Sequence, residues 1–371
     1  MTPWRALLGL LPALLGACAG PAPERAPATA TAAAATPAPV GEVRLERRAP
    51  DPQALDLAVA VFDRGLEANA VASGEVFPTV RKAESILLPA ELSRYLAASG
   101  YWGAVRVVHS TLDAMPVRVA GEILRADGEV LELALRVTAV DGTRLLERRY
   151  RDLAGADDYP VAADDDPFAD LYRAVSNDLA ALARSLDAPR RRALRRIALM
   201  RFAARLAPEA FAGYLETLPG GRLALAQYPA AGDPMLERLQ RLRRQEFLFI
   251  DTVDQQYRDL AGRVAESYDL WRQYSRELAR YGESYLQDVE RRERAGRRGS
   301  YAALQQVYGS FRKVKLQEED LRELVRGFAG ESLETVLAVD DGVVRLEGSV
   351  AQRYAEWRRL LARIYALESG V

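Results

Sequence analysis

The sequence predicts an α+β fold: a small α/β sandwich domain, with a mixed sheet and helices, followed by a mainly α-helical domain with a long antiparallel coiled-coil hairpin. Three observations carry this. Between residues 55 and 150, short runs rich in β-branched residues are punctuated by Asp127-Gly128 and Asp141-Gly142, dipeptides that mark hairpin turns. After Pro234 the chain has no further proline, and bulky residues recur every seven positions. The charge also changes sign: 19 basic residues face 26 acidic ones up to Asp187 (−7), and 32 face 26 beyond it (+6).

In chain order, Leu55–Phe62 is an apolar run that reads as a buried central strand. Val80–Ala98 reads as helix, divided at Pro89 because proline leaves the carbonyl four residues back without its partner, and stopped by Gly100. Strands follow at 102–108, 117–125, 130–140 and 145–150; the two Asp-Gly turns make the last three an antiparallel meander. Pro167 opens a helix carrying Phe168, Leu171, Val175, Leu179 and Leu182 at three- and four-residue spacing. These elements make a domain over 52–187, a sheet with helices on one face.

The helical domain spans 190–371. Asp233 caps a helix with Pro234 at its first position, and periodicity then runs to Arg294, about 90 Å at the helical rise. Ile250, Tyr257, Val264, Trp271, Leu278 and Tyr285 form one seam row; Phe247, Asp254, Ala261, Tyr268, Ser275 and Gly282 form the other. Such a sustained heptad reads as a coiled coil. Gly296 and Gly299 turn the chain, and Ser300–Phe328 returns as the second arm, a hairpin over 233–328. A small β-hairpin at 334–347, about Asp340-Asp341-Gly342, and a final helix at 349–368 complete the chain.

Ahead of all this, Arg5, an apolar run from Ala6 to Leu15 and small residues before Cys18 make a secretory signal peptide over 1–17. Leu15-Gly16-Ala17-Cys18 resembles the lipobox of bacterial lipoproteins, which implies acylation of Cys18, palmitate included, and an address on the periplasmic face of the outer membrane. Residues 18–51 follow as a disordered tether of proline, alanine and threonine, a composition too poor in large apolar groups to offset its ordering entropy.

Composition excludes much chemistry. The single cysteine rules out an intramolecular disulfide or a thiolate zinc site, and the single histidine, His109, rules out a histidine metal cluster. No phosphate loop, His-Glu-X-X-His or nucleophile elbow occurs, and neither a cofactor nor a nucleic-acid partner is expected. Asp164-Asp165-Asp166 reads as a cation ligand or a helix-capping loop. Asp254 reads as a functional carboxylate or a register-fixing partner of an arginine across the hairpin. Arg190-Arg191-Arg192 and Arg195-Arg196 read as a lipid-phosphate contact or a solvated helix face. The aromatic row Tyr257, Tyr268, Trp271, Tyr274, Tyr281 and Tyr285 reads either as helix packing or as an edge that stacks on sugar rings or binds a partner, with Tyr268, Trp271, Tyr274 and Tyr281 as the candidate partner-binding residues.

The strand Ala58–Phe62, a helix ending at Ala98-Ser-Gly-Tyr-Trp102, then Val119–Ile123 and Leu135–Gly142 resemble the small α/β domain of several envelope proteins. These are the Tol-system translocation protein N-terminus, the curli-secretion lipoproteins and the lipoprotein activators of penicillin-binding proteins. The resemblance implies a protein-binding module without catalysis. The expected function is a lipid-anchored periplasmic interaction or assembly factor of the cell envelope, bound to a membrane through Cys18 and to an envelope protein. The alternatives are a cell-wall glycan-acting enzyme with paired carboxylates, or a lipid or lipopolysaccharide adaptor.

Overall fold

The computed structural model describes residues 36–66, 76–109, 112, 114–161, 165–294, 335–339, 342–346 and 349–369. A five-stranded mixed sheet is ordered β2-β1-β3-β4-β5, from β1 (Leu57–Ala60), β2 (Val105–Val108), β3 (Val117–Ala126), β4 (Val130–Ala139) and β5 (Arg144–Leu153). Strand β1 runs parallel to both neighbours, with Leu57 opposite Val105 and Val117. Strands β3, β4 and β5 form the antiparallel meander. Its two Asp-Gly turns hold glycine for different reasons. Gly142 sits at φ 86°, where a side chain is strained. Gly128 is needed for close approach, since a Cβ there would lie 2.0 Å from the Arg272 carbonyl oxygen.

Helix α1 (Pro78–Ser99) runs unbroken through Pro89, so the expected division there does not occur. Its physical reason lies in the sheet: Phe62 N–H donates to the Ser85 carbonyl at 3.0 Å, the group that Pro89 leaves without a helical donor. Gly100 closes the helix in the left-handed conformation (φ 73°). Helix α2 (Ala169–Ser185) packs beside it. Leu57 and Val59 lie in one core with Leu88, Leu92 and Leu96 of α1 and Leu171, Val175 and Leu179 of α2.

The expectation of helices on one face is overturned at β1. Ala58 and Ala60 point into a second core, so this strand is buried throughout. That core draws on α3 (Ala188–Leu206), the long α5 (Pro234–Arg294) and α6 (Val350–Ser369), through Met200, Phe249, Ile250, Tyr257, Trp357 and Leu361. Between α3 and α5 come the one-turn α4 (Pro208–Phe211) and the hairpin β6 (Leu215–Thr217) with β7 (Leu223–Leu225). A further hairpin, β8 (Thr335–Val339) with β9 (Gly342–Leu346), precedes α6. Residues Pro37–Val371 form one compact unit, with Leu194, Ile197 and Ala198 sharing the core of the sheet and its first helices.

The seven-residue seam therefore has partners within the body. Ile250 and Tyr257 join the second core, whereas Trp271 packs with Val80 and Leu87 of α1. A heptad reports a buried stripe without naming what buries it; the returning arm 300–328 lies outside the described residues, and among those described no coiled-coil hairpin is formed. The last residues assigned to the tether are also bound. Val40 N–H donates to Arg151 O at 2.8 Å, Val43 N–H to Asp170 Oδ1 at 3.1 Å and Glu46 N–H to Asn177 Oδ1 at 2.8 Å. Val40 and Leu45 pack on the sheet's core, so the part of the expected tether from Val40 onward belongs to the folded body.

Candidate functional site

Helix α5 passes the open edge of β2 and then crosses α1. At the edge, Val107 N–H donates to Asp254 Oδ1 at 2.7 Å and Arg258 donates to the Val105 carbonyl at 3.2 Å. Asp254 and Arg258 also pair at 3.0 Å, one helical turn apart. Asp254 thus closes a sheet edge, and its arginine comes from the same helix. Further along, Tyr268 Oη donates to Glu84 Oε1 at 3.1 Å, and Arg81 Nε lies 3.0 Å from Glu84 Oε2. All three are buried, and burial pushes the Glu84 carboxyl up to about 7 against the pull of Arg81.

Beside this contact α5, α1 and the start of α2 leave a cleft of about 740 Å³. One wall is α5 at Arg258, Ala261, Gly262, Ala265, Glu266, Asp269 and Arg272; the other is α1 at Leu87, Leu88, Ala90, Glu91 and Arg94. Asp165 and Asp166 form its rim, and Tyr172 of α2 its back. Arg272 is 3.0 Å from Asp166, pairs with Asp269, and lies over the Tyr268 ring at 4.8 Å from the centroid. Arg94 pairs with Glu91. Burial raises the Glu91 and Asp269 carboxyls above the ordinary range. The Tyr172 ring stacks on Tyr95, 5.5 Å between centroids, while its buried hydroxyl has no hydrogen-bond partner among the described residues.

The site residues expected from sequence fall unevenly around this cleft. Tyr268 lines it and is buried. Trp271 is buried on the α1 side, its ring stacked on Tyr268 at 5.6 Å. Tyr274 is half-buried against the same cluster. Cys18 lies outside the described residues, as does the side chain of Tyr281. Of the acidic triplet, Asp164 also lies outside them; Asp166 both accepts the Phe168 N–H at 2.8 Å and holds Arg272. The arginine cluster makes internal contacts: Arg190 pairs with Asp141, Arg195 donates to the Ala54 carbonyl, and Arg196 lies over the Tyr228 ring.

Glu91, Arg94, Tyr172, Glu266, Asp269 and Arg272 were not legible as a site. They come from three helices that are far apart in sequence, and each alone looks like a surface charge or a core tyrosine. Among the described residues no histidine, cysteine and carboxylate group has the makings of a metal site, and no helix is long and apolar enough to cross a membrane. Comparison with protein-family models and with curated proteins gives no match.

Proposed function

We propose that the protein is a lipid-anchored periplasmic interaction or assembly factor of the cell envelope, held to the outer membrane through lipid on Cys18 and binding a protein partner without catalysis. The observation that carries the binding role is the cleft between α1 and α5. Its α5 wall extends from Arg258 to Arg272, about 20 Å along the helix, with Ala261, Gly262 and Ala265 leaving room for another chain's backbone. The anchoring role rests on Leu15-Gly16-Ala17-Cys18 and the proline-alanine spacer behind it. In this reading the part of α5 after Leu278 and the 300–328 arm form the coiled-coil hairpin, supported by Gly296, Gly299 and matched apolar spacing. A lipid adaptor fits less well, because five carboxylates and three guanidiniums line the cleft.

The test is photo-crosslinking in cells from a benzophenone side chain at Ala265, exposed on the cleft wall, against one at Arg149 on the exposed sheet face. A discrete adduct at 265 and none at 149 is expected; no adduct at 265 ends the docking role of the cleft. A second reading, glycan cleavage by paired carboxylates, is favoured by the raised Glu91 and Asp269 in one cleft. Glycan fragments released by wild type and lost in Glu91→Gln would establish it in place of the first.

A further inference from the structure

We infer that the cleft between α1 and α5 takes a protein segment presenting arginine or lysine side chains, an inference that rests on the docking role proposed above. Charge bookkeeping gives the sign. All three guanidiniums in the cleft are already engaged, Arg94 by Glu91, Arg258 by Asp254 and Arg272 by Asp166 and Asp269. Two carboxylates are not: among the described residues Asp165 accepts the Asp166 N–H and has no ion pair, and Glu266 has no ion pair either. Acceptor capacity is therefore left over at the rim, and among the residues lining the cleft a cation entering there meets no unpaired cation.

A second, independent feature points into the same space. Tyr172 is wholly buried, lines the cleft, and has no partner for its hydroxyl among the described residues. An unpaired buried hydroxyl is unfavourable, and a peptide carbonyl bound in the cleft supplies the missing acceptor once a small side-chain shift uncovers the hydroxyl. A segment with a free carbonyl near one end and a guanidinium or ammonium near the other satisfies both features at once. The α5 wall, about 20 Å long, suits several residues of extended or helical chain better than a single small cation, and Leu87, Leu88 and Ala261 give its aliphatic stems a surface.

The experiment uses the full chain and three probes: a labelled twelve-residue peptide of arginine, alanine and leucine, its counterpart with glutamate for arginine, and N-acetylarginine amide. The basic peptide should bind saturably and the acidic one should not. Asp165→Asn combined with Glu266→Gln should weaken binding about tenfold. Tyr172→Phe, which removes only the unpartnered hydroxyl, should weaken it about threefold without lowering the denaturant midpoint. Equal binding of both peptides, unchanged affinity in the variants, or binding of the arginine amide as tight as that of the peptide overturns the inference. Absent peptide binding together with a discrete adduct at Ala265 also overturns it, while sparing the docking role; loss of both removes the two together.

Discussion

Glu84 should make this protein lose stability as pH rises through the neutral range. Its carboxylate is 1% exposed, held by Arg81 and Tyr268 where α1 meets α5, and its pKa moves from 4.5 to about 7. Between these values the folded chain keeps a proton that the unfolded chain has released. Stability from this group is thus full below pH 4.5, falls across the window, and is gone above about 7. The span corresponds to about 3 kcal/mol at 1.36 kcal/mol per unit. Glu84→Gln replaces the titrating group with a neutral one of the same shape that still accepts from Tyr268. Urea unfolding of both proteins at pH 4.5, 6 and 7.5 separates this residue from the others, because the difference between the two curves cancels what they share. Wild type should lose about 3 kcal/mol more than the variant over the window; parallel curves would refute the assignment.

Four further outcomes are expected. Trp271→Ala removes a buried ring packed on Val80 and Leu87 and should cost about 3 kcal/mol, the low end for such a truncation because the indole N–H has no partner to lose; half-buried Tyr274→Ala should cost about 1 kcal/mol, and equal losses in thermal melts would contradict their different burial. Asp254→Ala leaves the Val107 N–H open and should cost at least about 1 kcal/mol more than Asp254→Asn, which keeps an acceptor; identical denaturation midpoints would remove the edge bond from the account. Gly128→Ala places a methyl against the α5 backbone and should cost about 1 to 3 kcal/mol, so an unchanged melt would mean α5 does not approach this turn. Cys18→Ser should leave unprocessed or soluble protein on fractionation, and membrane retention equal to wild type would refute the anchor.

The sheet was legible wherever local chemistry decides it. Asp-Gly turns set the meander, and the apolar run Leu55–Phe62 marked a buried central strand, although the second layer of helices that covers Ala58 and Ala60 was not foreseen. Long-range bonds were not legible. Nothing near Pro89 says that Phe62 N–H will take the Ser85 carbonyl, and without that partner a division was the sounder expectation. The heptad in α5 recorded which residues are buried, Ile250, Tyr257 and Trp271 among them, but the burying surfaces belong to α1, α6 and the sheet. The cleft failed to appear for the same reason, since Glu91, Tyr172 and Asp269 share no local pattern.

How the sheet's edges are closed bears on where a partner can attach. An open edge is the readiest docking site on a mixed sheet, because it offers a row of unpaired N–H and carbonyl groups. Here β2 is met by Asp254 and Arg258 of α5, and Val40 ahead of β1 bonds the Arg151 carbonyl of β5. Strand addition at either side must therefore first displace chain that is already bound. Displacing Asp254 would uncover a carboxylate and break its pair with Arg258, and displacing the Val40–Arg48 strap would also break the Arg184–Glu46 pair. The cleft asks for no such exchange: Gly262 on its α5 wall faces open space, with nothing within 4 Å of a Cβ built there. On the docking role proposed above, a partner entering there reaches Asp165 and Glu266, which have no ion pair among the described residues, before it disturbs any bond of the fold.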